Sequence, residues 1–392
     1  MGSLFLYIVV FIITALLAKA AAFYYTLYKG TSYGEECFAD DNCARSDVSV
    51  KAPKVMDKRE RRHTLIKYVF MFIVAVLPLF FISAVRYGIG TDYFFTYVPN
   101  FYTILRGERT YTEYGFYLFN KLLQLFTDDP QWLFVITSFI FSFLFVRTII
   151  HSSVNSEVSV VVLFCTMIYF WSMNNVRQAI AVILIFAAFP HLSAGHTVRY
   201  LIYVALAFVF HITALGMIVP YLIVRSGYVR RYFIYFAIAL TVLLPIMCDV
   251  AVYLINLTKY SYYFASGYNT GIPESIRTPY NLVIFLFAYF LLRKSLTKSN
   301  YAYSLTVMQF FAFWIVAISY FIGIPEMLVR LQNYFVVFQV LLVPYCMKRI
   351  RTITYKLIVF AIYTVVMGGY TISLLLVGHH EVIPYKWIFG VN

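Results

Sequence analysis

The run YVFMFIVAVLPLFFISAV at residues 68–85 contains no charged side chain and is long enough to cross a bilayer as a helix. It does not alternate apolar and polar residues, as a transmembrane β-strand would. Similar runs recur along the chain and predict an all-α, polytopic integral membrane protein with about twelve transmembrane helices. The predicted spans lie near residues 4–27, 66–85, 131–150, 158–173, 178–192, 198–210, 212–224, 232–253, 280–292, 301–322, 327–346 and 355–376.

The composition of the whole chain supports this interpretation. Of its 392 residues, 62% are hydrophobic and 12% are charged, and the mean hydropathy is +0.78. A soluble domain is excluded because about a quarter of its residues would be charged. We predict a first transmembrane span at 1–29, retained rather than cleaved, a cytoplasmic basic linker at 30–65, and a polytopic membrane catalytic domain at 66–392 with an outer loop at 86–130.

The formal net charge of +14 reflects membrane orientation. If the amino terminus faces outward, the cytoplasmic segments hold 21 of the 31 basic residues and 8 of the 17 acidic ones. Basic residues near span ends stay in the cytoplasm, so the excess orients the chain and a nucleic-acid partner is not expected. The expected location is therefore the cytoplasmic (inner) membrane, as a multi-pass protein embedded in the lipid bilayer.

The linker at 30–65 is polar and is expected to be poorly ordered. Its Cys37 and Cys43 should remain reduced in the cytoplasm, and two cysteines without further ligands do not indicate a metal site. No cofactor and no metal are predicted. The basic segment 51–62 leaves open a contact with a partner protein.

The outer loop is rich in tyrosine, including Tyr93 and Tyr97. Tyrosine rings can rest on a sugar while the hydroxyl stays in water, although an interfacial aromatic belt would use the same residues. Apolar residues recur at helical spacing from Phe116 to Phe126 and predict an amphipathic helix on the outer face.

Two acidic residues of this loop are candidate general bases. Gly88 and Gly90 permit a tight turn after Arg86, which would direct Asp92 back toward the helices. A carboxylate there could take a proton from an attacking hydroxyl, although it could equally cap the loop and pair with Arg86. Glu113 is the second candidate base. Alternatively, its charge could simply stabilise the amino terminus of a helix.

Polar residues at the ends of the predicted spans are the next candidates. Arg177 and Gln178 follow two asparagines between apolar runs, and such an arginine can grip a phosphate or reach lipid headgroups. His211 interrupts an apolar run, where it could act in a site or serve as a packing residue. Arg330 and Tyr334 share one helix face with Glu326. This face could bind an anion, or Glu326 and Arg330 could form a structural ion pair.

These residues together predict an outward-facing site for a lipid-linked diphosphate. Its members are, for catalysis, Asp92, Glu113 and His211, and, for substrate binding, Arg86, Tyr93, Tyr97, Arg177, Gln178, Arg330, Asn333 and Tyr334.

The order of short motifs along the chain resembles the EpsG family of bacterial exopolysaccharide proteins. The motifs are RYGIGTDY (86–93), TEYGF (112–116), NNVRQAIA (174–181), FHITAL (210–215), RLQNYF (330–335) and IPYK (383–386). The resemblance implies a C-type membrane glycosyltransferase that behaves as a Wzy-type polymerase. In such enzymes an acidic residue of the first large outer loop commonly meets the acceptor, and Asp92 occupies that kind of position.

The function expected from the residues and the resemblance is the polymerisation of lipid-linked repeat units. The donor would be an undecaprenyl diphosphate-linked oligosaccharide and the acceptor a single lipid-linked repeat unit. A chain-length regulator protein could contact the basic segment 51–62. A transporter or flippase of such lipids is the alternative, although no internal repeat is evident and the charges sit at one face rather than at the midplane. A membrane acyltransferase ranks last because His211 has no acidic residue beside it in sequence.

Overall fold

A computed structural model describes residues 2–30, 56–108, 110, 112–257, 261, 274–322 and 325–390. Over these residues the chain is almost entirely helical, as expected where every backbone polar group must be satisfied inside lipid. The α-helices are α1 (Gly2–Lys29), α2 (Lys58–Ala84), α3 (Val98–Leu105), α4 (Tyr114–Leu123), α5 (Gln131–Ser152), α6 (Ser156–Cys165), α7 (Ile168–Asn174), α8 (Val176–Ala187), α9 (Phe189–Ala194), α10 (Thr197–Phe210), α11 (Ile218–Arg225), α12 (Gly227–Arg231), α13 (Phe233–Val242), α14 (Leu244–Asn256), α15 (Glu274–Leu292), α16 (Asn300–Ile322), α17 (Pro325–Val336), α18 (Gln339–Arg349), α19 (Ile353–Tyr363) and α20 (Gly369–Leu376).

The centre of the bundle is α16. Every side chain from Tyr301 to Ile318 is buried, and the helix packs against α15 and α17. A helix that is apolar on all sides is expected in such a position. By contrast, α1 and α2 pair with each other at the periphery and leave Phe5, Leu16 and Phe70 more than half exposed, at 69%, 64% and 63%. In a membrane these side chains would contact lipid.

The all-α membrane class is confirmed, but the count of twelve spans is not. The described residues contain six helices long and apolar enough to cross a membrane, or up to eight if each of two bent helix pairs counts as one span. Several predicted spans are only 10–17 residues long, and at about 1.5 Å per residue such helices are shorter than the hydrocarbon core of about 30 Å. These shorter helices are Thr197–Phe210, Ile212–Arg225 and Arg277–Leu292.

Two apolar runs that the sequence predicts as single spans are each divided into two helices. Met167 adopts a left-handed conformation, with φ of 64°, and α6 and α7 meet there at a bend of 57°. The predicted span at 327–346 is likewise divided, because α17 ends at Val336 and α18 begins at Gln339. Apolar composition continues across both breaks, so composition alone does not reveal them.

The beginning of α2 changes the predicted boundary of the linker. Asp57 caps this helix by accepting a hydrogen bond of 2.7 Å from the backbone N–H of Glu60. The helix therefore begins at Lys58, and residues 58–65 are helical rather than part of a linker. Residues 31–55, with Cys37 and Cys43, lie outside the described part of the chain.

The loop at 86–130, which the sequence predicts to lie on the outer face, contains more helix than expected. The expected helix near Phe116 is confirmed as α4, whose buried residues include Phe116, Asn120 and Leu123. A π-helix at Tyr93–Tyr97 also leads directly into α3. The carboxy-terminal segment reaches the start of this loop, because the N–H of Tyr87 donates to the carbonyl of Lys386 at 3.0 Å.

Candidate active site

The predicted site residues gather around a break between two helices. α7 ends at Asn174 and α8 begins at Val176, with Asn175 in a non-helical conformation between them. A break of this kind exposes backbone polar groups and directs consecutive side chains to different neighbours. Contacts from the outer loop, from α17 and from the carboxy-terminal segment all converge on residues 173–178.

Arg177 and Glu113 form the central ion pair. Nη1 of Arg177 lies 2.6 Å from Oε2 of Glu113 and donates a further hydrogen bond to Thr112 at 3.2 Å. The two side chains are 25% and 22% exposed, so the pair is partly shielded from water but still accessible. The backbone N–H of Arg177 donates to the hydroxyl of Tyr97 at 3.4 Å. The structure thus brings together three of the predicted residues.

His211 lies on the other side of Glu113. Its Nε2 is 3.9 Å from Oε1 of Glu113, and its Nδ1 shares a hydrogen bond of 2.6 Å with the hydroxyl of Thr213. Burial lowers the pKa of His211 to about 4, outweighing the opposing effect of the Glu113 carboxylate. His211 is therefore neutral near pH 7, and its contact with Glu113 is not a charge pair at that pH.

A second set of contacts joins α17 to the same break. Nε2 of Gln178 donates to the carbonyl oxygen of Arg330 at 2.8 Å. The hydroxyl of Thr213 is 3.2 Å from that of Tyr334, which is fully buried. Asn333 is also buried, on the same helix. The side chain of Glu326, the predicted partner of Arg330, lies outside the described residues.

Asp92 reaches the break through its backbone. Its N–H donates to Oδ1 of Asn174 at 2.9 Å, and the hydroxyl of Thr91 donates to the same oxygen at 3.0 Å. The carboxylate of Asp92 accepts a hydrogen bond of 3.3 Å from Thr96. No arginine or lysine of the described chain pairs with it, so the alternative of an Asp92–Arg86 ion pair is not seen. This carboxylate is available to accept a proton.

Gly90 holds Asp92 in this position. Its φ is +94°, and a Cβ at this residue would lie 3.0 Å from Cα of Asn174. The turn predicted from Gly88 and Gly90 is confirmed, since both have positive φ. Only glycine combines that conformation with so close an approach.

Arg86 and Tyr93 lie in a buried cluster next to the break. Arg86 is 1% exposed and donates to the backbone and hydroxyl oxygens of Ser83, to Ser138 at 3.0 Å and to the carbonyl of Met173 at 3.3 Å. The rings of Tyr93 and Phe134 stack, with centroids 4.2 Å apart, and the guanidinium carbon of Arg86 lies 4.9 Å from the centroid of the Phe134 ring. These contacts support a role in holding the loop rather than contact with substrate.

Asn174 and Thr213 belong to the cluster but are not predicted from the sequence. Thr213 could have been found because it lies two positions after His211, at a spacing that allows a local side-chain contact. For Asn174 the signal was its position between apolar runs, but its partners are 82 residues away in the outer loop and 206 residues away near the carboxy terminus.

The family of the chain follows from a direct comparison. The sequence model of the EpsG family matches residues 69–387. The chain belongs to the EpsG family. All the predicted site residues of this EpsG-family protein lie inside the matched region, while the segment at 30–65 lies outside it. No curated protein and no solved structure matches the chain significantly. Membership of the EpsG family supports a polysaccharide polymerase-like function in general.

We expect Gly115→Ala to disturb the site by separating α4 from α10. A Cβ at Gly115 would lie 2.6 Å from the carbonyl oxygen of Val209, next to His211. Because backbone cannot yield easily, the substitution should lower the free energy of unfolding by about 1–3 kcal/mol, although alanine favours helix. Thermal unfolding of the purified protein measures this. Gly369→Ala is the control, since this helical glycine has open space around it and should be neutral or slightly stabilised.

Proposed function

We propose that this protein polymerises lipid-linked polysaccharide repeat units. It would transfer glycan from an undecaprenyl diphosphate donor to a lipid-linked acceptor on the outer face of the bacterial cytoplasmic membrane, in exopolysaccharide, capsule or O-antigen biosynthesis. The observation that carries the proposal is the convergence on residues 173–178 of a partly exposed cation, Arg177, and the loop that carries Asp92, whose carboxylate pairs with no arginine or lysine among the described residues. Membership of the EpsG family supports the same class of reaction.

The residues suit a glycosyl transfer in which one carboxylate accepts a proton. The acceptor hydroxyl oxygen attacks the anomeric carbon of the donor glycan and forms the new glycosidic bond. Its proton passes to Asp92. The bond between the anomeric carbon and the phosphate oxygen breaks, and its electron pair leaves with the diphosphate. Arg177 and Arg330 stabilise the charge that grows there, a preorganised role worth several kcal/mol.

Glu113 and His211 assist this arrangement from one side. Glu113 holds the guanidinium of Arg177 in a fixed orientation through the contact of 2.6 Å. The neutral His211 is within 3.9 Å of the same carboxylate and can form a hydrogen bond with the substrate beside the Arg177–Glu113 pair. Tyr97 is buried against Phe116 and Phe134, and its hydroxyl accepts a hydrogen bond from the backbone N–H of Arg177, so it supports the site rather than meeting a sugar.

The distribution of charge supports an outward-facing site. The helices that carry or adjoin site residues end in basic residues on their far side, as α11 ends at Arg225 and α18 at Lys348 and Arg349. Basic helix ends belong in the cytoplasm, so the site would face outward. A flippase would instead hold its substrate near the midplane of the membrane. Because the site residues would lie at one face, a flippase is the second candidate.

The lipid-linked saccharides that accumulate after deletion of the gene test this function. For a polymerase we expect single complete repeat units on the lipid carrier and no polymer, because assembly and export precede polymerisation. An incomplete repeat unit would identify an ordinary glycosyltransferase instead. Complete units confined to the inner leaflet would identify a flippase. Expression of the intact gene in the deletion strain is the control and should restore polymer.

A further inference from the structure

The carboxy-terminal segment brings a pair of histidines to the helix break. The hydroxyl of Tyr7 donates to the carbonyl of Val382 at 3.0 Å, and the N–H of Tyr385 donates to Ser3 at 2.9 Å. These contacts tie the segment to α1. His380 has φ of 61°, in the left-handed region that is uncommon for residues other than glycine. The chain thus accepts an unfavourable backbone conformation at the residue that approaches Asn174.

The contact with Asn174 fixes which nitrogen of His380 carries the proton. Oδ1 of Asn174 accepts from the backbone N–H of Asp92, and a backbone N–H can only donate. The other amide atom of Asn174 is therefore Nδ2, a donor, and it lies 3.2 Å from Nδ1 of His380. Nδ1 must accept this hydrogen bond, which places the proton of the neutral ring on Nε2.

The surroundings of His380 keep its ring neutral. Burial holds the pKa of His380 well below its ordinary value, and the charges of His379, Arg277 and Arg330 lower it further. The rings of His379 and His380 are 4.1 Å apart. Nε2 of His380 makes no hydrogen bond to any described residue. This nitrogen is also not completely buried, so a ligand can reach it. An accessible N–H donor therefore lies within the electrostatic influence of Arg277 and Arg330.

This grouping fits a large anion better than a small one. Arg330 shares the break with Arg177 through Gln178, and Arg277 approaches from α15, where its Nε donates to Tyr370 at 3.3 Å. The charge of Arg330 acts on both His211 and His380, so one region of positive charge extends from the Arg177–Glu113 pair to the carboxy-terminal histidines. A monophosphate could engage one part of this region, whereas a diphosphate has oxygens for both parts.

We propose that His380 binds substrate by donating its Nε2–H to the diphosphate, and that with Arg277 it makes the site select polyprenyl diphosphate over polyprenyl monophosphate. The inference rests on the proposed function, since that function supplies the diphosphate. It adds a specificity-determining residue from the carboxy-terminal segment, joined through Asn174 to the loop that carries Asp92.

Binding of undecaprenyl diphosphate and undecaprenyl monophosphate to the purified full-length protein in nanodiscs tests the proposal. We expect the wild type to bind the diphosphate more tightly. His380→Ala should weaken diphosphate binding about tenfold or more and leave monophosphate binding nearly unchanged, because one hydrogen bond to a charged group is lost. His63→Ala, at an exposed histidine near the start of α2, is the control and should behave as wild type.

Two amide variants separate hydrogen-bond donation from packing. Gln at position 380 places an amide near the position of Nε2, whereas Asn places it near Nδ1. His380→Gln should therefore retain diphosphate preference, and His380→Asn should lose it as alanine does. Thermal unfolding confirms that each variant is folded.

The outcomes distinguish failure of the inference from failure of the proposed function. If the folded wild type binds neither lipid, the proposed function fails. If it binds the diphosphate and the alanine variant keeps the same preference, the assignment of His380 is overturned while the function stands. Equal loss in the Gln and Asn variants, with folding intact, would also overturn donation from Nε2.

Discussion

Asp92→Asn should abolish polymer and cause single repeat units to accumulate on the lipid carrier. The amide has nearly the same size as the carboxylate, and the bond from residue 92 to Asn174 uses the backbone, so the loop should keep its structure. What is lost is the ability to accept the proton of the acceptor hydroxyl. Loss of a general base typically lowers the rate by about 10²- to 10⁴-fold, which is measured as polymer formed per unit of protein in isolated membranes.

Asp128→Asn is the matched control for this change. Asp128 lies in the same outer loop, is exposed and makes no ion pair with a described residue. The same chemical change there should leave polymer length and yield as in the wild type. If Asp92→Asn also leaves them unchanged, Asp92 is not the base, and Glu113 becomes the remaining acidic candidate in the cluster.

The class of fold could be predicted from the sequence because it depends on local composition. Uncharged runs such as 68–85 form helices wherever backbone groups cannot reach water. The number of spans depends on helix length and bending, which composition does not determine. At Met167 a left-handed residue divides an apolar run, and nothing in the adjacent side chains marks the bend.

The proximity of some polar residues could be predicted from the sequence, but their contacts could not. Arg177, Glu113 and His211 were expected to lie on one face, and they do lie together. Their pairing depends on how closely α4 approaches α10, which Gly115 permits and the sequence does not show. Arg86 was expected to bind the anion because it ends a span, but hydroxyls and carbonyls from three different segments bury its guanidinium.

Arg177 is the residue whose replacement should most weaken binding of the lipid donor. Arg177→Lys keeps the charge but removes the planar pair of donors that can hold a diphosphate and Glu113 together. We expect the concentration of donor needed for half-maximal rate to rise about tenfold, since hydrogen bonds to charged groups are lost. Arg177→Ala should lower the rate by about 10²- to 10³-fold, as when a preorganised donor is removed. Both are measured as polymer formation at graded concentrations of lipid-linked donor.

Two further variants test whether the Arg177–Glu113 ion pair serves only to stabilise the fold. Arg106 forms a similar pair with Glu108 at 2.8 Å in the same loop, but both side chains are more than half exposed, so Arg106→Ala should have little effect. Exchanging the partners, as Arg177→Glu with Glu113→Arg, keeps a pair of opposite charges in place. Each single change should weaken the fold because it leaves two like charges facing each other. If the double exchange recovers both folding and polymer formation relative to the single changes, the pair is structural. If it recovers folding alone, the cation is needed at position 177, where it would meet the diphosphate.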